Sequence, residues 1–162
     1  TALADGLSQL TYGRVAKRLG INDRTVVYYF PSKDDLVTEV LIAMGEQLQV
    51  TLRPAFSVPA SDHLALVRAA WPLLAHCDAD PIFALFFEAN GLAVAGREPY
   101  RSLVPQLVQM WISWAGEFII GTSRRRTTEA EAAIALIDGL LLLRHLGGPD
   151  AANRAARRFG VR

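Results

Sequence analysis

The sequence predicts an all-α fold in two parts, a small head joined to a larger helical body. Apolar residues recur at spacings of three and four along most of the chain, as they do on one face of a helix. Capping residues such as Asn22 and Asp62 precede these segments, and glycines such as Gly20 and Gly147 follow them. No segment has the alternation typical of a strand. The 162 residues, 51% of them hydrophobic, are enough for such an arrangement.

The first ten residues, TALADGLSQL, are predicted to be the last turns of a helix, a stop at Gly6 and a loop. We expect this helix to begin upstream of Thr1.

Residues 11–33 are predicted to form two short helices joined by a tight turn. Thr11 can cap the first helix, and Gly20 supplies the left-handed residue at which that helix ends. Asn22 can cap the second helix, which is predicted to run from Asp23 to Tyr29.

The spacing of three small or apolar residues suggests how these helices cross. Ala16 allows a close approach, Gly20 makes the turn, and Val26 fills the space between the helices. This spacing is typical of a helix-turn-helix, whose second helix enters the major groove of DNA. An ordinary helical hairpin has the same spacing, so the spacing alone leaves both interpretations open.

The longer run A-x3-GI-x3-TV-x-YYFPSK-x2-L, which begins at Ala16, resembles the DNA-binding domain of the TetR family of bacterial transcriptional repressors. The resemblance is dense over residues 7–36. It implies a helix-turn-helix DNA-binding domain at residues 1–44, with a truncated first helix, and a helical effector-binding and dimerisation domain at residues 45–162.

The resemblance also implies which side chains contact DNA. Positions that contact phosphates in the family are occupied by Tyr12, Thr25, Tyr29 and Lys33. Positions at or near the base edges are occupied by Gly13, Asn22, Asp23, Arg24 and Tyr28. Val27 stands where the family usually has tyrosine, so we expect one phosphate hydrogen bond to be lost. Because Gly13 has no side chain, base reading should depend on Asn22, Asp23 and Arg24.

The remaining segments are predicted to be helical. A long helix should run from Ser32 to about Leu52 and end before Pro54, with a loop to residue 61. Five further helices follow, with predicted spans 62–76, 81–95, 100–120, 128–146 and 150–159. The basic run at residues 123–126, SRRR, is interpreted as a solvated loop beside a helix C-terminus, although it could also be a nucleic-acid patch.

Segments 100–120 and 128–146 are unusually apolar, and Leu140–Leu143 covers every side of a helix. We expect such helices to face a core on one side and a partner subunit on the other. The resemblance implies a four-helix bundle between two copies at this position. A homodimer can place two recognition helices on a palindromic DNA operator.

Large aromatic residues cluster in the body, where they can be plain core or can line a pocket for a mostly apolar small molecule. The resemblance implies an effector pocket. The residues expected to line it are Trp71, His76, Phe87, Asn90, Trp111 and Trp114.

Composition restricts other functions. The net charge is +1, and residues 1–44 carry five basic and five acidic side chains, so DNA affinity must come from the placement of charges. Cys77 is the sole cysteine, is expected to be buried, and excludes an internal disulfide and a multi-cysteine zinc site. No transmembrane run or signal segment is evident, so we expect a soluble cytoplasmic protein.

No enzyme motif and no cofactor motif is evident. The three histidines lack metal-ligand spacing with carboxylates or with Cys77. These observations favour a homodimeric repressor that a small apolar or aromatic effector releases from its operator. The rival hypothesis is a helical small-molecule sensor or carrier of the same fold that acts without DNA.

Overall fold

The computed structural model describes all 162 residues and contains nine α-helices, two short 3-10 turns and no strand. The prediction of an all-α fold is therefore confirmed. The helices are α1 (Ala2–Asp5), α2 (Tyr12–Leu19), α3 (Asp23–Tyr29), α4 (Lys33–Leu52), α5 (His63–Leu74), α6 (Asp80–Val94), α7 (Tyr100–Gly116), α8 (Ser123–Gly147) and α9 (Pro149–Arg158). The 3-10 turns are Arg53–Phe56 and Cys77–Ala79.

Local capping sets the bounds of α2 and α3, as predicted. The Thr11 hydroxyl accepts a hydrogen bond from the Arg14 backbone N–H. The side-chain carbonyl oxygen of Asn22 accepts one from the Arg24 backbone N–H. Gly20 is left-handed, with φ 67°, and its N–H bonds to carbonyls of the last turn of α2. These bonds satisfy backbone groups that a helix end leaves without partners.

The start of α4 is fixed by a reciprocal pair of hydrogen bonds. The Ser32 hydroxyl accepts from the Asp35 N–H at 3.1 Å, and the Asp35 carboxylate accepts from the Ser32 N–H at 3.0 Å. This is the capping box that the sequence predicts. The helix ends at Leu52, where the 3-10 turn that contains Pro54 begins.

The prediction of a loop at residues 123–126 is wrong. These residues form the first turn of α8, which Thr122 caps by accepting a hydrogen bond from the Arg125 N–H. Thr128, the predicted cap, lies inside the helix and bonds back to the Arg124 carbonyl. Both threonines can cap, and residues 123–128 contain no apolar side chain whose spacing would reveal the helix.

The chain divides into two compact units. The first contains residues 1–47 and 81–106, and the second contains residues 48–80 and 107–162. Buried side chains of the first unit include Leu7, Leu10 and Val37, whereas Trp71 and Leu141 are buried in the second. The assignment of separate functions to residues 1–44 and 45–162 stays a prediction.

A partly buried ion pair connects the start of α6 to α8 inside the second unit. The Arg144 guanidinium, 7% exposed, donates to both carboxylate oxygens of Asp80 at 2.6 and 2.9 Å. The hydrogen bonds from Arg144 lower the pKa of Asp80, and Asp80 raises the pKa of Arg144. A ring nitrogen of His145 lies 3.0 Å from the Asp80 backbone carbonyl.

Nearly two turns earlier on α8, Asp138 is partly buried. Desolvation of its carboxylate raises the pKa of Asp138 to about 6.

Of the helices in the structure, none combines the length and the apolar character needed to span a membrane.

Candidate nucleic-acid interface

The second helix of the predicted helix-turn-helix, α3, presents nearly all of its side chains to solvent. Val26 is its single buried residue, and Ala16 of the neighbouring α2 is also buried, both under 4% exposed. The predicted helix-turn-helix core is therefore formed. With its inner face held by one small contact, α3 keeps most of its surface for a partner.

The predicted base-reading side chains share this surface but differ in which of their polar groups are free to bind a base. Arg24 and Tyr28 are exposed, and the Arg24 guanidinium makes no ion pair within the chain. Asn22 is also exposed, but its carbonyl oxygen already caps α3 at 2.9 Å, so only its amide N–H groups remain for a base.

Glycine at position 13 brings the start of α2 close to α3. A Cβ atom placed on Gly13 would stand 3.4 Å from a carboxylate oxygen of Asp23. The Asp23 carboxylate therefore lies at the junction of the two helix N-termini and makes no ion pair with Arg24. Both Gly13 and Asp23 are exposed.

Three of the four predicted phosphate contacts, Thr25, Tyr29 and Lys33, are exposed. The rings of Tyr28 and Tyr29 pack edge to face, with centroids 5.3 Å apart. Tyr12 differs, because its hydroxyl is buried and has no hydrogen-bond partner. A phosphate contact by Tyr12 would require its ring to turn outward.

Glu88 of α6 holds the loop that follows α1, an arrangement that the sequence gives no means of finding. Its carboxylate accepts the Leu7 N–H at 2.8 Å and the Ser8 N–H at 3.0 Å. Gly6, with φ 84°, makes this approach possible, since a Cβ atom there would stand 3.1 Å from the same carboxylate. The loop is therefore anchored to α6 by two charge-assisted hydrogen bonds.

The residues predicted to line an effector pocket fall into both compact units. Phe87 and Asn90 belong to the first unit, and Trp71, Trp111 and Trp114 belong to the second. Trp71 and Trp114 are buried, whereas Trp111 is partly exposed.

The second unit contains a cluster of aromatic rings. Trp114 packs edge to face with Trp111, Phe56 and Phe118 at centroid distances of 5.2, 5.6 and 4.9 Å. The indole N–H groups of Trp114 and Trp71 are buried without an acceptor. The Asn90 carbonyl oxygen of the first unit is likewise buried without a donor. Unpaired buried polar groups are rare in proteins and require an explanation.

The sixth predicted pocket residue, His76, is exposed and precedes the 3-10 turn Cys77–Ala79. The expectation of a buried Cys77 is wrong, because its thiol is free and exposed. This cysteine follows the end of α5, where the chain leaves the core and turns toward α6.

His76, Cys77 and Asp78 together place a ring nitrogen, a thiol and a carboxylate within 4.8 Å of one another. The sequence analysis considered only histidines, carboxylates and Cys77 at metal-ligand spacing, which these consecutive residues do not have. Their adjacency in the sequence, His-Cys-Asp, is the signal that indicates the group.

Comparison with known proteins agrees with the geometry of the head. A family model described as bacterial regulatory proteins, tetR family, matches residues 3–40. Neither the curated proteins nor the solved structures provide a match to this chain. The matched range contains most of α1, all of α2 and α3, and the start of α4. Residues 3–40 therefore match the DNA-binding domain of TetR-family regulators, and this match supports a DNA-binding transcriptional regulator.

Proposed function

We propose that this regulator is a ligand-responsive repressor that binds a palindromic operator as a homodimer. The observation that carries the proposal is the exposed face of α3, where Arg24 has no partner inside the chain. An unpaired guanidinium in the first turn of a recognition helix can bond bidentately to guanine O6 and N7. Lys33, at the start of α4, is suited to a phosphate.

The exposed apolar face of α8 supports dimer formation. Leu142, Leu143 and Leu146 are 42%, 38% and 81% exposed, and they continue a face that contains the small residues Ala135 and Gly139. Nothing lies within 4 Å of a Cβ atom placed on Gly139, so a second helix can approach there. Leucines at this spacing lose free energy when they leave water, and a second copy would cover them.

The neighbouring helix α7 has a different character. Its exposed residues are mostly polar and include Ser102, Gln106, Gln109 and Ser113. We therefore assign the centre of the dimer interface to α8, within the wider segment 100–146, and give α7 a peripheral part.

Aromatic rings and unpaired polar atoms support an effector that is mostly apolar and aromatic. Trp111, Trp114 and Phe118 offer ring surfaces, and the Trp71 and Trp114 N–H groups lack acceptors. A buried donor left unpaired costs about 1–3 kcal/mol. An effector that carries a carbonyl or another acceptor would remove part of that cost, so acceptor-bearing aromatic compounds are the first ones to test.

Glu88 offers a route from α6 to the DNA-binding head. Because its carboxylate holds the Leu7 and Ser8 N–H groups, a ligand that shifts α6 would strain or break these two hydrogen bonds. The coupling must be reciprocal, so operator DNA must weaken the binding of such an effector by the same factor.

Selection of bound DNA from a random pool tests the proposal directly. We expect enrichment of one palindromic sequence whose half-sites are about one helical turn apart or a multiple of that distance. Enrichment of a single half-site would contradict the homodimer. No enrichment at all would favour the rival function, a sensor or carrier that acts without DNA, which the balanced charge of residues 1–44 also suits.

The proposed coupling through Glu88 has its own test. Glu88→Gln keeps the shape of the side chain but leaves only one acceptor oxygen for two N–H groups, so operator affinity should change. Glu46→Gln, on the exposed face of α4, is the matched control. Equal operator affinities of the wild type and Glu88→Gln would show that the α6 contact does not influence the head.

A further inference from the structure

The turn between α5 and α6 brings together three side-chain atoms that can donate electron pairs to a metal. His76 Nδ1 lies 3.9 Å from the Cys77 sulfur, and that sulfur lies 3.8 Å from Oδ1 of Asp78. His76 Nδ1 also lies 3.2 Å from Oδ2 of Asp78. All three residues are exposed, so a hydrated ion can reach them without opening the fold.

These distances fit a tetrahedral metal ion. Zinc bonds of about 2.0–2.3 Å to nitrogen, oxygen and sulfur place neighbouring donor atoms about 3.3–3.7 Å apart. The measured separations of 3.2–3.9 Å bracket that range. Small rotations of exposed side chains are enough to close the site, and water can occupy the fourth position.

The backbone of the turn already directs the histidine. The Asp78 N–H donates to His76 Nδ1 at 3.3 Å, which directs the lone pair of that nitrogen toward the turn. The same nitrogen lies 3.2 Å from Oδ2 of Asp78, so one ion can contact both atoms. A metal ion on Nδ1 would replace the Asp78 N–H at that lone pair.

The surrounding charges also suit a divalent cation. Arg144 interacts electrostatically with Cys77, but the two hydrogen bonds to the Asp80 carboxylate neutralise its charge. A Cys77 thiolate and the Asp78 carboxylate then supply two negative charges, and a neutral His76 supplies none. A divalent ion balances this set.

We propose that His76, Cys77 and Asp78 form a binding site for a thiophilic divalent metal ion of the zinc class. A thiolate and an imidazole favour such ions over magnesium and calcium, which prefer sets of oxygen ligands. The site involves no residue of the DNA-reading surface, so it can be tested, and can fail, independently of the proposed repressor function.

Cobalt titration of the reduced protein, without DNA, tests the site. Co²⁺ adopts the tetrahedral geometry of Zn²⁺ and gives a thiolate-to-cobalt charge-transfer absorption when sulfur is a ligand. We expect this absorption to saturate at one ion per chain and to disappear when Zn²⁺ is added. An equal concentration of Mg²⁺ should leave it unchanged.

Variants distinguish a three-ligand site from a reactive thiol alone. Cys77→Ser should abolish the charge-transfer absorption. His76→Gln and Asp78→Asn should each weaken cobalt binding by at least about tenfold. Asp150→Asn changes an exposed carboxylate in the first turn of α9 and should bind cobalt as the wild type does.

Three results would overturn the site. The first is the absence of a charge-transfer absorption in the wild type. The second is wild-type affinity in both His76→Gln and Asp78→Asn, which would leave a lone thiol. The third is saturation at one ion per two chains, which would indicate a bridge between cysteines of different molecules. Circular dichroism of each variant checks that the helices are retained.

Discussion

The recognition helix α3 and the long helix α8 both expose side chains without a partner, but of opposite kinds. In α3 the unpartnered groups include the charged Arg24, and its one buried residue is Val26. In α8 the charged Arg144 is buried and paired, and the last turns expose leucines such as Leu146. We therefore use the kind of group left exposed to propose the kind of partner. A polar face suits a nucleic acid, whereas an apolar face suits another copy of the chain.

The largest expected effect comes from breaking the internal pairing of α8. Asp80→Ala leaves the buried Arg144 guanidinium without its counter-charge. The free energy of unfolding should fall by about 3 kcal/mol, the low end of the range for a fully buried pair, because the Asp80 side chain is 39% exposed. Urea denaturation measures this loss. Asp78→Ala, two residues away and 90% exposed, is the control and should be nearly neutral. Equal effects of the two substitutions would mean that the Asp80–Arg144 pair does not stabilise the fold more than an exposed carboxylate does.

The same pair should make the protein sensitive to acid. Arg144 lowers the pKa of Asp80 in the folded state. The stabilisation is therefore present above the unfolded pKa of about 4 and is lost as the pH falls through the lower folded value. Asp80→Ala should lack this part of the acid loss.

The next largest effect should come from placing a charge on the apolar face of α8. Leu142→Glu or Leu143→Glu should convert the proposed dimer to monomers, because a buried carboxylate at the interface would have no partner. Light scattering at micromolar concentration gives the mass. Val94→Glu alters another exposed apolar side chain, 91% accessible, and should leave the mass unchanged. A wild-type monomer would contradict the interpretation of the leucine face.

On α3, changes should affect DNA binding rather than folding. Arg24→Ala should cost about 1–3 kcal/mol on the selected operator and much less on random DNA, since a base contact is lost. Lys33→Ala should weaken both alike and flatten the dependence of log K on log salt by about one unit. Identical uniform losses in the two variants would show that Arg24 does not read a base.

The smallest effect concerns Asp138, a partly buried carboxylate of α8 that makes no ion pair. Burial raises the pKa of Asp138 to about 6, so the folded state binds its proton more tightly than the unfolded state. Stability should therefore fall as the pH rises from about 4 to about 6, and the penalty should persist above that. Asp138→Asn should remove this slope and stabilise the protein at pH 7 by at most about 2 kcal/mol. A steeper slope in the variant would contradict the assignment.

The two helices also differ in how well the sequence predicts them. The end of α2 follows from Gly20 and the start of α3 from Asn22, and both effects act within a few residues of the chain. The start of α8 was missed because Thr122 and Thr128 have the same capping chemistry and only packing selects between them. Local signals therefore predict the DNA-binding head better than the body.

Contacts between distant segments account for the features that the sequence does not predict. The hydrogen bonds of Glu88 to Leu7 and Ser8 join residues about eighty positions apart, and no local pattern predicts such a pair. The exposure of Cys77 and the burial of the Tyr12 hydroxyl also depend on packing that composition does not reveal. The resemblance of residues 7–36 to a family predicts the role of α3 but gives no information on these contacts.

The hold of Glu88 on the loop after α1 has a consequence for amide hydrogen exchange. Leu7 and Ser8 lie outside any helix, and loop amides normally exchange quickly with solvent. The hydrogen bonds to the Glu88 carboxylate should slow the exchange of both N–H groups. Their exchange can occur only when the loop separates from α6. The deuteration of two loop amides therefore records how often the DNA-binding head is released from the helix that holds it.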